Sequence, residues 1–299
     1  MPHTMTQRDT LIRLTLMGGQ ARAMLCDTTR MTQQARDIHQ ASNVCTAALG
    51  RMISGAAMLG AQLKGEGDTL TCTINGGGPA GALVAVARPD GVVKVTIDNP
   101  QVELPLKENG KLDVGGALGH EGRLTVMRSM GFGEPYVGQV NLVSGEVAED
   151  FAMYYTASEQ TPSLCALGTL VARDVCASGG LLVQAMPGCT EELIGQLEIR
   201  SELYGAISSA LCDMPLSDLV QGYFRGLEPE VLETAPLRLA CDCSRERIEQ
   251  VLLSMGEQEL RDLIEQQGGA EVGCHFCRSQ YRFTAEELEK LIEEGKKRL

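Results

Sequence analysis

Apolar and polar residues follow two different periods in the first part of the chain. Residues 11–16 and 21–27 are short apolar runs on either side of Gly18-Gly19, which predicts two strands joined by a turn. Residues 32–40 and 43–63 have the spacing of helices. The second helix is rich in Ala, Gly and Met. Because small side chains allow close packing, we expect this helix to be buried.

Short strands separated by turn sequences dominate the next part of the chain. Thr alternates with apolar residues in 70–74, and Gly76-Gly77-Gly78-Pro79 and Pro89-Asp90-Gly91 have the composition of turns. A glycine-rich turn without a following Lys and Ser/Thr is not a phosphate-binding loop. The pattern predicts a meander of antiparallel strands at 70–74, 81–87, 92–97, 124–127 and 138–142.

Helical and strand patterns then alternate up to residue 233. Helices are predicted at 144–159, with Ser144 as the N-cap, and at 190–210, with Thr190 as the N-cap. The remaining predicted elements are strands at 166–173 and 180–186 and short helices at 216–223 and 229–233.

These elements predict an α+β fold in a chain of 299 residues, which is long enough for a large domain and a small one. Residues 1–226 form the large N-terminal domain, with an antiparallel sheet and packed helices. Residues 227–240 contain two prolines and end without helical periodicity, so we assign them to a linker. The region that joins the two domains is predicted to be helical. Residues 241–299 form a small C-terminal module.

Composition and charge narrow the functional classes. Hydrophobic residues make up 43% of the chain, which is enough for a core, and the net charge of −13 disfavours binding to nucleic acid. Residues 1–10 are polar and lack the apolar stretch of a signal peptide, and no apolar run is long enough to span a bilayer. We therefore expect a cytoplasmic protein that does not bind a membrane.

The chain has 11 cysteines, which a reducing cytosol would not keep as a set of structural disulfides. Seven of them are scattered without the spacing of metal ligands, and we interpret these as small buried apolar side chains. They are Cys26, Cys45, Cys72, Cys165, Cys176, Cys189 and Cys212.

The other four cysteines form two closely spaced pairs near the C-terminus. Cys241 and Cys243 are a C-x-C pair, and Cys274 and Cys277 are a C-x-x-C pair. Zn²⁺ binds four thiolates at tetrahedral corners with Zn–S distances near ~2.3 Å, and a tight turn directs two sulfurs to one point. The spacing predicts a closed zinc site of these four residues. Such a site serves structure or switching and does not hydrolyse substrates.

The residues around the two pairs predict a compact module. Ser244 is a candidate N-cap for a helix at 245–253, and a second helix at 257–266 ends at Gly268-Gly269. The C-x-x-C pair then lies at the tip of a predicted hairpin. Thr284 and Glu287 form a capping box that begins the last helix.

Other roles for the four cysteines fit the sequence less well. A thioredoxin-like dithiol requires one C-x-x-C pair in a βαβ unit, and burial explains four clustered cysteines poorly. His275 could replace one thiol, although its place inside the turn points it away from the metal. Positive neighbours favour thiolates, but they could equally be ordinary surface residues; both interpretations stay open for Arg245, Arg247, Arg278 and Arg282.

The segments around the cysteines resemble the redox-regulated 33-kDa heat-shock chaperones, the 33 kDa chaperonin (HslO) family. The similarity rests on Cys241 to Arg247, on Cys274 to Cys277 and on Tyr281-Arg282-Phe283. Further matching segments in the N-terminal domain are Asp98-Asn99-Pro100, residues 135–140, Ser144-Gly145-Glu146 and residues 158–162. Together these motifs are specific, and the resemblance covers most of the chain. Arg278 departs from it, since many relatives have a small residue there.

The resemblance implies a chaperone that holds unfolding proteins without ATP and is not an enzyme. The reduced, zinc-bound form would be inactive. Oxidative stress with heat would form disulfides Cys241–Cys243 and Cys274–Cys277, release zinc, unfold the C-terminal module and loosen the linker. The active form would bind unfolded client proteins and dimerise. The sequence assigns no client-binding residue.

Simple chemistry is consistent with such a switch. A small zinc module takes much of its folding free energy from the metal. Metal-bound thiolates can still be oxidised, and unfolding exposes apolar surface that can hold clients.

Two other classes of protein are alternatives to a redox-regulated chaperone. A structural zinc ribbon that binds a partner without redox switching would retain zinc under peroxide. An enzyme would need a catalytic group, but His39 and His120 lie in no recognisable triad or metal-binding spacing.

Overall fold

The computed structural model describes residues 9–131 and 133–298. The chain divides into two compact units, the first ending at Ala240 and the second beginning at Cys241. Residues 1–8, which carry most of the polar N-terminal segment, lie outside the described residues. In the part of the chain that the structure describes, no helix combines the length and the apolar character needed to cross a membrane.

The first unit is built around two β-sheets. Its strands are β1 (Thr10–Leu16), β2 (Ala21–Asp27), β3 (Thr69–Gly77), β4 (Leu83–Ala87), β5 (Val92–Ile97), β6 (Gly119–Ser129), β7 (Tyr136–Asn141), β8 (Ser163–Val171), β9 (Val175–Ala185), β10 (Glu230–Pro236) and β11 (Arg238–Leu239). One sheet has the order β10-β1-β2-β9-β8, and the other has the order β11-β5-β4-β3-β6-β7. All neighbouring pairs are antiparallel except the short pair of β11 with β5.

Eight α-helices accompany these strands within the described residues of the first unit. They are α1 (Thr29–His39), α2 (Asn43–Gly60), α3 (Val114–Leu118), α4 (Ala148–Ala157), α5 (Glu191–Ile199), α6 (Ser201–Gly205), α7 (Ile207–Asp213) and α8 (Leu216–Tyr223).

The central element of the first unit is α2, which contacts strands of both sheets. Every residue of α2 except Asn43 and Arg51 is buried. Small residues make this close approach possible, since a Cβ atom at Gly55 would lie 2.7 Å from Cε2 of Phe151. The predicted burial of this Ala- and Gly-rich helix is confirmed.

A second core covers the other face of the five-stranded sheet. Leu14, Leu181 and Val183 of the sheet pack there against Tyr204 and Phe224 of the helical segment. The predicted single helix at 190–210 is wrong, because the chain breaks into α5, α6 and α7. The breaks allow apolar residues from all three short helices to reach the same core.

Two further local predictions are wrong. The helix predicted from 144 begins at Ala148, and Ser144 is not its N-cap. Instead, the carboxylate of Asp150 accepts backbone N–H groups of Val143 and Val147 at 2.8 and 3.0 Å. The helix predicted at 229–233 is the strand β10, because backbone pairing with the distant β1 outweighs the local pattern.

The predicted linker, residues 227–240, contributes edge strands to both sheets. β10 pairs with β1 across a bulge at Arg13 and Leu14, and six of its seven residues are exposed. The backbone N–H of Ala240, next to Cys241, donates to the carbonyl of Val93 in β5 at 3.0 Å. The assignment of 227–240 as a functional linker stays a prediction.

The second unit contains three helices and one hairpin in its described residues. These are α9 (Arg245–Met255), α10 (Glu257–Gln267), β12 (Gly269–Gly273), β13 (Gln280–Thr284) and α11 (Ala285–Arg298). Its core is small and consists of Leu252, Leu260, Phe283, Leu288, Leu291 and Ile292. The predicted hairpin and the capping box of Thr284 with Glu287 are confirmed.

Candidate metal centre

The C-x-C pair lies where the chain enters α9. Ser244 follows Cys243 directly, and its hydroxyl accepts the backbone N–H of Arg247 at 3.3 Å, as an N-cap does. The cap fixes the start of the helix and with it the position of Cys243.

The C-x-x-C pair lies in the tight turn between β12 and β13. The N–H of Arg278 donates to the carbonyl of Cys274 at 2.8 Å, and the N–H of Cys274 donates to the carbonyl of Ser279 at 2.9 Å. Arg278 adopts a left-handed conformation, with φ of 59°. Glycine takes this conformation at little cost, which is a physical reason for a small residue at this position.

The structure brings all four cysteine sulfurs together. The four Sγ atoms lie within 4.8 Å of one another. Cys241 and Cys274 have sulfurs 3.6 Å apart, and Cys243 and Cys277 have sulfurs 3.2 Å apart. A tetrahedron with metal–sulfur bonds of ~2.3 Å has edges of about 3.8 Å. The cluster therefore has nearly the dimensions that a tetrahedral thiolate site requires.

Two hydroxyl groups lie beside the sulfurs. The hydroxyl of Tyr281 donates to Sγ of Cys243 at 3.1 Å, and the hydroxyl of Ser279 lies 3.2 Å from Sγ of Cys277. Such contacts orient metal-bound thiolates and change their reactivity. His275 is exposed and is not among the described residues that form the cluster.

Comparisons with known proteins place the chain in a family. The family model described as Hsp33 protein matches residues 9–284. The chain belongs to the Hsp33 family. The "33 kDa chaperonin" of Ruminiclostridium cellulolyticum is 41% identical over 291 residues, which are 97% of this chain and 99% of the relative. That of Clostridium perfringens strain SM101 is 42% identical over 293 residues, which are 97% of this chain and 93% of the relative.

A solved structure agrees with this assignment. The crystal structure of the 33 kDa chaperonin (heat shock protein 33 homolog) from Thermotoga maritima has a TM-score of 0.89 and 34% sequence identity to this chain. The match covers 97% of this chain and all of that one. The recognised family and the α+β fold class are therefore confirmed, and the chain is an Hsp33-family chaperone.

The thiols of this Hsp33 site differ in acidity. Burial raises the pKa of Cys241 to about 12, and it also raises the pKa of Cys243. Burial acts in the same direction on Cys277, but hydrogen bonds from the hydroxyl and the backbone N–H of Ser279 outweigh it and lower the pKa to about 6. Of these three thiols, Cys277 is therefore the one most ready to act as a thiolate ligand without help from a metal.

The arginines near this Hsp33 site are mostly engaged elsewhere. Arg245 lies over the ring of Phe283, with its guanidinium carbon 4.2 Å from the ring centroid. Carboxylate partners engage Arg245, Arg247 and Arg282, which favours the interpretation of these three as ordinary surface residues. The ion pairs are Arg245–Glu287, Arg247–Asp242 and Arg282–Glu271.

The seven cysteines outside the cluster are not all alike. Cys26, Cys45 and Cys72 are buried, as predicted, and burial raises the pKa of Cys26 to about 12. Cys176 is exposed, so the prediction of burial is wrong for it. The other three, Cys165, Cys189 and Cys212, are partly buried.

Sequence reasoning missed the roles of Ser279 and Tyr281. From the sequence, Tyr281 was identified only as part of the segment Tyr281-Arg282-Phe283 that resembles the family. The alternation of Tyr281 and Phe283 could have indicated an inward-facing Tyr281, because both residues share one face of β13 and Phe283 is in the core. His39, considered for catalysis, is buried, and its Nε2 lies 3.0 Å from the carbonyl of Val95, so it has a structural contact.

Proposed function

We propose that this chain is a redox-regulated, ATP-independent chaperone whose switch is the four-cysteine cluster. The observation that carries the proposal is the convergence of four sulfurs within 4.8 Å in a unit with a small core. Membership in a chaperone family supplies the binding of unfolded proteins, and the cluster supplies a group that oxidants can reach. No residue is assigned to client binding, and no catalysed reaction is proposed.

The metal in this proposal is zinc, held by Cys241, Cys243, Cys274 and Cys277. Four thiolates suit Zn²⁺ in a closed structural site. When bound, zinc would hold the two cysteine pairs together and keep their sulfurs deprotonated. Because only six apolar side chains form the buried core in the described residues of the second unit, this unit depends on that constraint for its fold.

Peroxide would act on the cysteines in two balanced steps. One thiolate attacks a peroxide oxygen, giving a sulfenic acid and hydroxide. A second thiolate then attacks the sulfenic sulfur and releases another hydroxide, so that two thiolates lose two electrons and form one disulfide. Repetition of these steps produces two disulfides and removes all four ligands.

The proposed disulfides are Cys241–Cys243 and Cys274–Cys277, which the family resemblance implies. In the reduced structure, sulfur contacts of 3.6 and 3.2 Å instead join Cys241 to Cys274 and Cys243 to Cys277. The proposed pairing thus requires these sulfurs to leave their present contacts before the disulfides form. Peptide mapping of the oxidised protein distinguishes the two pairings.

Loss of the second unit would loosen the segment before it. Ala240 is bonded to Val93 and is followed at once by Cys241. The exposed strand β10 adds little apolar burial of its own, so few side-chain contacts hold it on β1. We propose that its release exposes apolar surface for clients, that the oxidised protein dimerises, and that the chaperone serves the cytoplasm under oxidative and heat stress.

Light scattering from a thermally unfolding client protein tests this function. The full chain is added reduced with zinc, reduced after chelation, or treated with peroxide at raised temperature while a chromophoric chelator reports zinc release. Suppression of aggregation only after zinc has left supports the switch, and the chelated sample separates unfolding from disulfide formation. Cys176→Ser, which removes the exposed cysteine outside the cluster, serves as the matched control and should switch normally.

A different outcome would favour the alternative function. If peroxide leaves zinc bound and both forms suppress aggregation equally, the second unit is a structural zinc module without a redox role. Size-exclusion chromatography of the same samples tests the proposed dimer.

A further inference from the structure

Tyr281 connects the core of the second unit to the sulfur cluster. Tyr281 and Phe283 lie two residues apart on β13 and share one face. Phe283 is 3% exposed, and the partly buried Tyr281 packs against the same core. Beyond its ring, the hydroxyl reaches Sγ of Cys243 at 3.1 Å. The ring is thus held by packing while the hydroxyl contacts one candidate ligand.

The direction of this hydrogen bond follows from the chemistry of its two groups. A metal-bound cysteine is a thiolate, which only accepts hydrogen bonds, whereas a phenol has one O–H to donate. A bond to an ionised acceptor is stronger than one to a neutral thiol. Metal binding therefore strengthens the contact, and conversion of Cys243 to a disulfide weakens it.

We propose that Tyr281 is a positioning residue that directs the Cys243 thiolate toward the metal and slows its reaction with oxidants. This inference rests on the proposed metal site and adds a residue that regulates it. A hydrogen bond to sulfur withdraws electron density from the lone pair that would attack peroxide. Packing of the tyrosine ring in the core keeps the hydroxyl on the sulfur. The cluster therefore tolerates a higher oxidant dose before it reacts.

The oxidation step that Tyr281 affects is the first one at Cys243. The thiolate gives an electron pair to one oxygen of hydrogen peroxide, the O–O bond breaks, and sulfenic acid and hydroxide form. The phenol neither gains nor loses electrons in this step. The hydrogen bond from its O–H to the sulfur must break when the sulfur lone pair attacks the peroxide. Loss of this hydrogen bond adds to the activation barrier of the oxidation.

The first test is spectroscopic and independent of chaperone activity. Tyr281→Phe keeps the ring and removes only the hydroxyl. In the full chain loaded with Co²⁺ in place of zinc, we expect the sulfur-to-cobalt charge-transfer band to move to lower energy, because the sulfur loses a hydrogen bond. Tyr204→Phe is the matched control, since it removes a buried tyrosine hydroxyl of the first unit, where described residues offer it no hydrogen-bond partner. An unchanged band in Tyr281→Phe would overturn the proposal.

The second test measures zinc binding and zinc loss in the same variants. Loss of the hydroxyl should weaken zinc binding about tenfold in chelator competition, in the range found for residues that support metal ligands. Zinc release under peroxide should become about threefold faster as the sulfur becomes more nucleophilic. If wild-type protein releases zinc and Tyr281→Phe matches it in rate and affinity, the role of Tyr281 is wrong while the proposed function stands. If wild-type protein keeps its zinc under peroxide, the proposed function fails, and the cobalt band and the zinc affinity still decide the role of Tyr281.

A third test strengthens the hydrogen bond instead of removing it, and it remains decisive if Tyr281→Phe does not fold. Tyr281 is the only tyrosine of the second unit. Biosynthetic replacement of tyrosine by 3-fluorotyrosine keeps the ring and makes the hydroxyl a stronger donor. At neutral pH we expect a cobalt band at higher energy and slower zinc release than in the unlabelled protein. A shift to lower energy, or faster release, would contradict the proposal.

Discussion

Glu146 is the centre of a charged cluster that joins three parts of the first unit. Its carboxylate accepts hydrogen bonds from Arg51 of α2 at 2.5 Å and from the backbone N–H of Gly115 at 3.1 Å, and it pairs with Lys107. Burial raises the pKa of this carboxyl, but hydrogen bonds from Lys107 and Arg51 outweigh it and hold the pKa below its ordinary value. The ionised form therefore stabilises the fold.

Glu146→Gln should destabilise the first unit by about 1–3 kcal/mol, because it replaces charge-assisted hydrogen bonds by neutral ones. A carboxyl with a lowered folded-state pKa stabilises above its unfolded-state pKa, near 4.5, and this contribution disappears as the pH falls through the lower folded value. Urea unfolding at pH 7 and at decreasing pH below 4.5 tests this, with the exposed Glu149→Gln as control. An equal loss of stability at all these pH values would contradict an ionic origin.

At the scale of single elements, α2 shows how much the first unit depends on small residues. Gly55 faces the ring of Phe151, whereas Gly222 in α8 has no atom within 4 Å of the place its Cβ would take. Both are helical glycines, Gly55 in the interior of α2 and Gly222 in the last turn of α8, and they differ clearly in the space around the missing Cβ.

Gly55→Ala should destabilise the first unit by about 1–3 kcal/mol, because the added methyl overpacks the core. Gly222→Ala should stabilise it by about 0.5–1 kcal/mol, because alanine loses less backbone entropy in a helix. Thermal unfolding of both variants measures the difference. A similar effect of the two substitutions would mean that Phe151 moves aside freely.

Strand β10 is the element that the proposed switch is expected to loosen. Six of its seven residues are exposed, and its ion pair to β1, Arg13–Glu233 at 3.2 Å, lies at the surface, where such pairs contribute little. We expect backbone amides of 230–240 to exchange hydrogen faster in the oxidised protein than in the reduced one. Hydrogen-exchange mass spectrometry measures this, with β3 as the internal control. Unchanged exchange protection of residues 230–240 would mean that oxidation does not loosen this segment.

Local patterns predicted many elements of this chain but not their long-range partners. The strands at 11–16 and 21–27 and the buried helix at 43–63 follow from periodicity. The strand at 230–236 does not, because its conformation comes from β1, more than 200 residues earlier. The division of the strands into two sheets is likewise a result of packing around α2, which no local pattern contains.

The candidate site was predicted more completely than the fold. Four cysteines with ligand spacing are a discrete chemical signal, and the structure brings their sulfurs together. Which hydroxyls reach those sulfurs was not predictable, because it depends on the turn after Cys277 and on the face that β13 presents.

For the whole molecule, the two units differ in what stabilises them. The first has two extensive cores, whereas the described residues of the second contribute six buried apolar side chains and a cluster of thiols. Chelation of the reduced protein should therefore unfold the second unit and leave the first folded. Loss of helical circular dichroism, with exchange protection lost only beyond residue 240, checks this, and added zinc should reverse it. Persistent protection of α9 and α10 without metal would contradict it.

The pairing of β10 with β1 also has a consequence for biosynthesis. During translation the N-terminal strands leave the ribosome long before residues 230–236, so the edge of β1 stays open until most of the chain has been made. Completion of the five-stranded sheet waits for this late segment. The second unit emerges later still, and its fold is local in sequence. A nascent chain of this chaperone therefore has an unprotected sheet edge itself, and we expect it to need help from other chaperones before it can assist other proteins.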